Sequence, residues 1–400
     1  MSKNIPKEWT QTKLGKILSK SYKNGIYKSS DYYGKGISIL RINDFDNQGN
    51  RSSTKLQKVQ LNEKEIRNYK LNINDIVVNR VNSLTHLGKS ILWNDSKITA
   101  VYESNMMRID PDEQIIEPAF LIRILHHEPS RIFFRRMAKR AVAQSSINQQ
   151  DVKALPVLLP PLPEQKAIAD LLSTWDEAIE KTERLIQAKE RRFKWLLREF
   201  ISEPRNTRKG TEWKKVKLGD LFEKDIKVEK GKALTKESNI EGDIPVVAGG
   251  QTYAYYTSRP THVMPSVTIS ASGAYAGFVW YHDYPIWASD CNVLYVTKGS
   301  TKFLYFTLKA IQHRVYALQS GGAQPHVYSK DMKILHVFWP SPEEQQQIAE
   351  TLSSAQQEID LLKQLADKYK TQKRGLMQRM LTGFWRIAPD IVRTFGESHG

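Results

Sequence analysis

The chain lacks paired cysteines and long apolar runs, and each absence excludes a class of protein. Cys291 is the single cysteine among 400 residues, so the chain cannot form an internal disulfide or a cysteine-rich metal site. No stretch approaches the roughly 18 consecutive apolar residues of a membrane-spanning helix. The first residues, Met-Ser-Lys-Asn, do not resemble a signal peptide. We therefore expect a cytoplasmic protein without a membrane partner.

Acidic side chains are scarce relative to basic ones. The chain has 60 lysines and arginines against 43 aspartates and glutamates, which gives a formal net charge of +17. By segment, the net charge is +11 over residues 1–150 and +7 over 204–340, whereas 151–203 and 341–400 are close to neutral. Two separate basic blocks favour a polyanionic partner such as nucleic acid.

The motifs of common DNA-acting enzymes are absent as well. An amino-methyltransferase requires a glycine-rich cofactor loop and an Asp/Asn-Pro-Pro-aromatic segment, and the sequence contains neither. Gly88-Lys89 resembles the end of a phosphate-binding loop, but Ser83 stands where that loop begins with glycine. His126 and His127 have no third ligand at a spacing suited to a metal. We expect no catalytic residue, metal or cofactor, and an enzyme with an unrecognised active site remains an alternative.

The most informative feature that is present is an internal repeat. Residues 151–200 align without a gap with residues 331–380, and 14 of the 50 positions are identical. A second match, at an offset of 204 residues, joins Glu8-Trp9 to Glu212-Trp213. The chain therefore contains two copies of one plan, in which an entry segment and a basic block are followed by a long helix.

Each repeat predicts a long helix with one apolar seam. The apolar residues alternate at spacings of four and three, which is typical of a two-helix coiled coil. Ser341 and Glu344 form a capping box at the start of the second helix. The first helix, from Pro163 to about Ser202, would span roughly 60 Å at 1.5 Å per residue. It serves either as a hairpin that only holds domains together or as a spacer that also sets function. The seam residues are Ile168, Leu172, Trp175, Ile179, Ile186, Phe193, Leu196, Ile348, Leu352, Ile359, Leu362, Tyr369 and Leu376.

The basic blocks before the helices predict strands, polar turns and one helix each. The strands lie near 37–42, 75–78, 91–93 and 106–109 in the first block, and near 244–247, 266–269, 277–281 and 292–296 in the second. Helices are expected over 118–140 and 301–318. The fold class is therefore α+β, with two strand-rich globular domains separated by two long antiparallel helices and a pseudo-twofold internal repeat.

Candidate nucleic-acid contacts come from the polar turns and from the basic helix 118–140. Turn side chains can bond bases or phosphates, and arginines four residues apart share a helix face. The alternatives are ordinary hairpin turns and a solvated charged face. The candidates are Arg41, Asn79, Arg80, Asn82, Ser83, Lys89, Arg131, Arg135, Lys139, Gln144, Ser272, Tyr275, Gln324 and His326.

With these features, the chain resembles the specificity subunits of Type I restriction-modification systems. The motifs that carry the resemblance are the proline-rich helix starts at 160–168 and 340–348 and the entries Trp9…Leu14-Gly15 and Trp213…Leu218-Gly219. The resemblance implies target recognition domains at 1–150 and 204–335, regions with conserved spacer helices at 151–203 and 336–385, and a tail at 386–400.

The resemblance also implies partners. Each recognition domain would read half of a split sequence in double-stranded DNA. Two modification subunits would dock on the helices and methylate adenine N6 with S-adenosylmethionine, and restriction subunits that use ATP and Mg²⁺ would join for cleavage. This chain itself would bind no cofactor. The alternative from another class is a coiled-coil adaptor that binds DNA only incidentally.

Overall fold

The computed structural model describes residues 5–19, 22–52, 55–140, 144–203, 213–235 and 238–397. The chain divides into two compact units. Unit 1 contains Met1–Glu180 and Asp367–Gly400, and unit 2 contains Lys181–Ala366. Both units combine helices with short strands, which confirms the predicted α+β class. Across the described residues, no helix is long and apolar enough to cross a membrane.

The strands are short and the helices differ widely in length. The strands are β1 (Thr10–Lys13), β2 (Lys23–Asn24), β3 (Tyr33–Leu40), β4 (Gln57–Val59), β5 (Ile76–Asn79), β6 (Val81–Asn82), β7 (Ser90–Leu92), β8 (Ala100–Tyr102), β9 (Met106–Ile109), β10 (Lys139–Arg140), β11 (Ser145–Ser146), β12 (Pro156–Leu159), β13 (Lys214–Lys217), β14 (Ile226–Lys230), β15 (Ile244–Val247), β16 (Tyr256–Thr257), β17 (Ser266–Ser270), β18 (Val279–His282), β19 (Trp287–Ala288), β20 (Cys291–Val296) and β21 (His336–Trp339). The α-helices are α1 (Glu63–Tyr69), α2 (Pro118–His126), α3 (Glu128–Met137), α4 (Gln149–Lys153), α5 (Leu162–Leu197), α6 (Leu218–Phe222), α7 (Thr301–Ala310), α8 (Gln312–Tyr316), α9 (Ser329–Met332), α10 (Pro342–Met380) and α11 (Pro389–Glu397).

The internal repeat extends to the order of the sheets. Unit 1 has an antiparallel sheet in the order β2-β9-β5-β7, and unit 2 has one in the order β14-β20-β17-β18. In both, the first strand in sequence pairs with the last, and the two middle strands complete the sheet. A second sheet is β4-β3-β8 in unit 1 and β16-β15-β19 in unit 2, with one antiparallel and one parallel pair each. The two blocks therefore share one topology.

The frame around each block is also repeated. In unit 1 the entry strand β1 pairs with β12, and in unit 2 β13 pairs with β21, both antiparallel. The indole of Trp9 donates to the Glu164 carboxylate at 3.1 Å, and that of Trp213 donates to Glu344 at 3.4 Å. These matched contacts join each entry strand to the first turn of a long helix.

A buried glutamine lies at each of these two contacts between an entry strand and a long helix, which we call the joints. The Gln165 side-chain amide donates to the carbonyl of Pro160 at 2.9 Å and accepts from the Glu117 backbone N–H, at the start of α2. Gln345 donates to the carbonyl of Pro340 at 3.1 Å and accepts from the backbone N–H of Ser300, the N-cap of α7. Each glutamine satisfies backbone groups of a strand end and a helix start, which would otherwise be buried without partners.

The two long helices follow their predicted bounds. α5 begins at Leu162 and continues as one π turn over Arg198–Ser202. The capping box of α10 is confirmed, since Ser341 N–H donates to the Glu344 carboxylate and Glu344 N–H donates to the Ser341 hydroxyl, both at 3.3 Å. α5 and α10 each contribute residues to both units.

The predicted seam residues are buried or half-buried, whereas Leu185, Trp195 and Leu361 on other faces are exposed. In unit 1 the early part of α5 packs against the late part of α10, where the rings of Trp175 and Tyr369 lie 5.7 Å apart. In unit 2, Lys189 on α5 pairs with Glu358 on α10 at 2.6 Å. The helix segments are therefore antiparallel within each unit.

The two shorter helix predictions are wrong in the same way. Instead of one helix over 118–140, the chain forms α2 and α3 with an extended residue, His127, between them (φ −67°, ψ 138°). Pro129 lies in the first turn of α3, where its missing N–H is tolerated, but inside a continuous helix it would break a hydrogen bond. Lys139 and Arg140 then form strand β10. The helix expected over 301–318 is likewise interrupted, at Ile311.

Candidate nucleic-acid interface

Several predicted contacts of the first block meet on one small sheet of unit 1. β6 pairs with β11, and β11 pairs with β10, so that Asn82 lies opposite Ser145 and Lys139 opposite Ser146. Lys139, Ser83 and Gln144 are exposed. We call the following residues the first polar surface: Arg80, Asn82, Ser83, Lys139, Arg140 and Gln144.

The turn after β6 is ordered by its own side chains. The Ser83 hydroxyl lies 2.9 Å from His86 Nδ1 and 3.1 Å from the Thr85 hydroxyl. Gly88 ends the turn with φ +76°, and a Cβ there would lie 2.5 Å from the buried ring of Phe134. Glycine is therefore required here by both backbone conformation and space. The turn holds its polar groups in a fixed arrangement at the surface.

A cavity of about 430 Å³ lies beside this turn. Amide and imidazole groups dominate its lining, as expected of a site that exchanges hydrogen bonds. The loop 43–48 contributes most of the lining, and no sequence pattern predicted its role because the loop has no regular periodicity. The lining residues are Asn43, Phe45, Asp46, Asn47, Gln48, Asn82, His86 and Lys89.

The position of Lys89 differs from the one expected of a nucleic-acid contact. Its side chain is buried, and its ammonium donates to the carbonyls of Ile42 and of Phe45, the latter at 2.7 Å. Burial lowers the pKa of Lys89. The lysine therefore holds the loop 43–48 in place and is not available to a phosphate in this conformation.

Arg80 donates to the carbonyl of Ser104 at 3.2 Å, and the other three predicted arginines of unit 1 are also bonded within the protein. Arg131 donates to the carbonyl of Asn47 at 2.9 Å, Arg135 pairs with Glu128, and Arg41 lies 4.0 Å from the Glu103 carboxylate. All three are half-buried.

The end of α3 at Met137 also removes the expected face shared by residues 131, 135 and 139, because Lys139 is in a strand. Asn79 is fully buried at the end of β5, so it lies beneath the surface.

The predicted contacts of the second block also come together. Ser272 and Ser320 each form a β-bridge with His326, and the N–H of Gly273 donates to the carbonyl of Pro325 at 3.0 Å. Tyr275 and Gln324 are exposed beside them. We call the following residues the second polar surface: Ser272, Tyr275, Asp290, Ser320, Gln324, His326 and Tyr328.

Sequence reasoning missed three members of this surface, Ser320, Tyr328 and Asp290. The ring of Tyr328 stacks on His326 at 5.9 Å with an interplanar angle of 11°, and about half of Tyr328 is exposed. Asp290 accepts a hydrogen bond from the Ser272 hydroxyl. The alternation His326, Val327, Tyr328, in which only Val327 is buried, could have indicated Tyr328. Nothing local links Asp290 to Ser272.

The two surfaces occupy equivalent places in their units. Each lies next to one of the two middle strands of the four-stranded sheet, β5 in unit 1 and β17 in unit 2. The carbonyl of Arg80 accepts from Ile147 N–H at 2.9 Å, and the carbonyl of Ala271 accepts from Val327 N–H at 3.0 Å. The polar turn and the segment after Gln144 or Gln324 are therefore brought together twice.

Several titratable groups have strongly shifted pKa values but lie inside the units. Burial lowers the pKa of His126 and of His282 to about 4. It raises the pKa of the Cys291 thiol to about 12 and that of Asp75 to about 6. In the part of the chain that the structure describes, no three His, Cys, Asp or Glu side chains are grouped so as to hold a metal ion.

Comparison with known proteins places these features in context. The family model of the Type I restriction modification DNA specificity domain matches residues 6–190 and 210–370. The MjaX specificity subunit assigned to a type I restriction enzyme of Methanocaldococcus jannaschii is 29% identical over 408 residues, which cover 96% of this chain and 95% of the relative. The StySPI specificity subunit of Salmonella potsdam is 32% identical over 177 residues, or 43% of this chain and 38% of that protein.

A solved structure supports the fold. The S subunit of a Type-I restriction-modification system from M. genitalium superimposes with a TM-score of 0.67 at 17% identity, over 95% of this chain and 97% of that one. At this identity, the likeness concerns the fold.

Proposed function

This chain belongs to the family of the Type I restriction modification DNA specificity domain, and we propose that it is the subunit that selects the DNA sequence for a Type I restriction-modification complex. The observation that carries the proposal is the repetition of one sheet topology, with a separate polar surface at the same place in each copy. Two such surfaces on one chain fit a bipartite target, in which each block reads one half.

The charge distribution supports DNA as the partner. The first block carries most of the net positive charge of +17, and Lys139 and Arg140 present cations on its polar surface. Basic groups bind phosphates without regard to sequence, whereas side-chain amides, hydroxyls and carboxylates can distinguish base edges. Both kinds of group are present, as a sequence reader requires.

The catalytic steps belong in this proposal to partner subunits. We propose that two modification subunits join this chain in the cytoplasm, methylate adenine N6 with S-adenosylmethionine, and are joined by restriction subunits that use ATP and Mg²⁺. The chain itself contributes recognition and no catalytic group. The exposed apolar residues Leu185, Trp195 and Leu361 on the long helices are the contacts that we propose for such partners.

Methylation sequencing tests the proposal directly. A host that expresses this chain with its neighbouring modification subunit is compared with a host that expresses the modification subunit alone. We expect a new adenine mark on a split motif only when this chain is present. In a second host, residues 15–143 are replaced by those of a relative, and we expect one half of the motif to change while the other half stays the same.

Two outcomes would contradict the proposal. If a complex co-purifies but no mark appears, the coiled-coil adaptor becomes the better interpretation. If the block replacement alters both halves of the motif, the blocks do not read independently, and bipartite reading by separate domains is wrong.

A further inference from the structure

Equivalent backbone hydrogen bonds match individual residues of the first polar surface to residues of the second. The N–H of Arg80 donates to the carbonyl of Asn105 at 2.9 Å, and the N–H of Ala271 donates to that of Asp290 at 3.1 Å. Arg80 therefore corresponds to Ala271, and Asn105 to Asp290.

The short strands extend the equivalence. Lys139 pairs with Ser146, which pairs with Val81 of β6. In unit 2, Ser320 bridges to His326, which bridges to Ser272. Lys139 thus corresponds to Ser320, and the next residue, Arg140, corresponds to Gly321.

The summed charge of the matched positions differs in sign between the two units. Unit 1 has the cations Arg80, Lys139 and Arg140. Unit 2 has the uncharged residues Ala271, Ser320 and Gly321 at the same places. At the fourth position, the neutral Asn105 of unit 1 is replaced by the exposed carboxylate of Asp290. The charge at these four positions is positive in unit 1 and negative in unit 2.

Aromatic groups take the place of cations on the second polar surface. Tyr275 and Tyr328 are 46% and 49% exposed, and Tyr328 is stacked on His326. Lys330, on α9, places its ammonium 5.4 Å from the Tyr328 ring, outside the matched positions. A carboxylate held by the Ser272 hydroxyl repels phosphate but can accept a hydrogen bond from the amino group of cytosine.

We propose that the two surfaces bind DNA by different chemistry: the first combines base contacts with neutralisation of backbone phosphates, and the second contacts base edges with little phosphate neutralisation. This inference rests on the proposed function. Each phosphate neutralised by a cation releases a counterion and adds about 0.9 to the slope of log affinity against log salt concentration. The two surfaces should therefore differ in how their loss changes the salt dependence.

The experiment measures binding of the full chain, assembled with its modification subunits, to a duplex carrying the split motif found by methylation sequencing. The Lys139→Ala/Arg140→Ala variant should lower the salt slope by about two. The Tyr275→Ala/Tyr328→Ala variant should weaken binding at least tenfold and leave the slope unchanged. Because all four side chains are exposed, wild-type melting of each variant confirms that folding is intact.

A gain of charge provides the matched control. Ser320→Lys places a cation on the second surface at the position that Lys139 occupies on the first, and it should raise the slope by about one. Ser320→Ala should leave the slope unchanged.

The inference is overturned if the tyrosine variant lowers the slope as much as the Lys139/Arg140 variant does, or if the latter leaves the slope unchanged. Failure of the proposed function gives a different result, because methylation sequencing would then find no split motif that depends on this chain.

Discussion

Unit 1 and unit 2 are alike in different features in their two regions, which are the frame of entry strands and long helices and the strand-rich blocks. The frame keeps side chains: a tryptophan, a glutamate and a glutamine form the same joint in unit 1 and unit 2. The blocks keep only the order of strands, while the exposed groups at equivalent places differ in charge. Strand order depends on an apolar pattern that many sequences satisfy, whereas a buried polar joint requires specific donors and acceptors.

The two joints also differ in the number of hydrogen bonds that their glutamine and glutamate side chains make. Gln165 makes three hydrogen bonds, because its amide donates to the carbonyl of Ile115 as well as to that of Pro160. Gln345 makes two. Glu164 is bound by Arg386 in addition to Trp9, whereas Glu344 bonds Trp213 and caps its own helix. The comparison indicates that the joint of unit 1 is the stronger one.

The largest expected effect comes from removing the two glutamines. Gln165→Ala leaves the buried carbonyl of Pro160 and two part-buried groups, the Glu117 N–H and the Ile115 carbonyl, without this partner and should cost about 3–5 kcal/mol, whereas Gln345→Ala should cost about 2–3 kcal/mol. Hydrogen exchange of the amides at the start of α2 and of α7 measures the two local opening free energies separately.

Matched exposed positions serve as controls for the glutamines. Asp170→Ala and Gln347→Ala, on the same helices, should change the opening free energies by no more than about 0.5 kcal/mol. Equal losses for Gln165→Ala and Gln345→Ala would show that the third hydrogen bond contributes nothing, and the ranking of the joints would be wrong.

Local patterns in the sequence were sufficient for the parts of the fold that depend on local chemistry. The capping box at Ser341 and the seam through Leu172 follow from residues three and four apart, and the strands near Val77 and Val293 follow from β-branched runs. The repeat was visible in the frame because the joint demands particular side chains.

The rest depends on contacts between distant residues. Arg386 and Glu164 are 222 positions apart, and Ser272 reaches an aspartate 18 positions away, between β19 and β20. The burial of Lys89 follows from the path of the loop 43–48, which has no periodic pattern. The common topology of the blocks was invisible because strand order leaves no residue-by-residue signature across exposed turns. Of the candidate contacts, the sequence located the turns but not their chemistry.

The arginine of the tail should have the next largest effect. Arg386 donates to Glu164 at 2.9 Å and to Glu8 at 3.1 Å, and Glu164 is almost completely buried. Arg386→Met leaves this carboxylate with the Trp9 indole alone. We expect unit 1 to lose about 2–3 kcal/mol, a value reduced for the partial exposure of the arginine.

Hydrogen exchange again separates the units. The first turn of α5 should exchange faster in Arg386→Met, while the first turn of α10 should be unchanged. Arg393→Met, at an exposed position in the same C-terminal segment, is the control. Faster exchange in both helices would mean that the tail stabilises the whole chain and not the joint of unit 1.

The smallest expected effect concerns pH and the buried histidine of unit 2. His282 is fully buried, with Nε2 2.8 Å from the Thr268 hydroxyl, and burial lowers its pKa to about 4. The unfolded chain takes up a proton below about pH 6.5 while the folded chain does not, so stability present above pH 6.5 is lost as the pH falls toward 4. At pH 5 the loss should be about 2 kcal/mol.

Hydrogen exchange of the variant His282→Gln measures this loss. The amides of β17 and β18 should no longer lose stability at pH 5. The amides of α2 in unit 1, where His126 has a similarly lowered pKa, should still lose stability. The exposed variant His313→Gln is the control, and an unchanged pH dependence of β17 and β18 in His282→Gln would assign the acid sensitivity of unit 2 to another group.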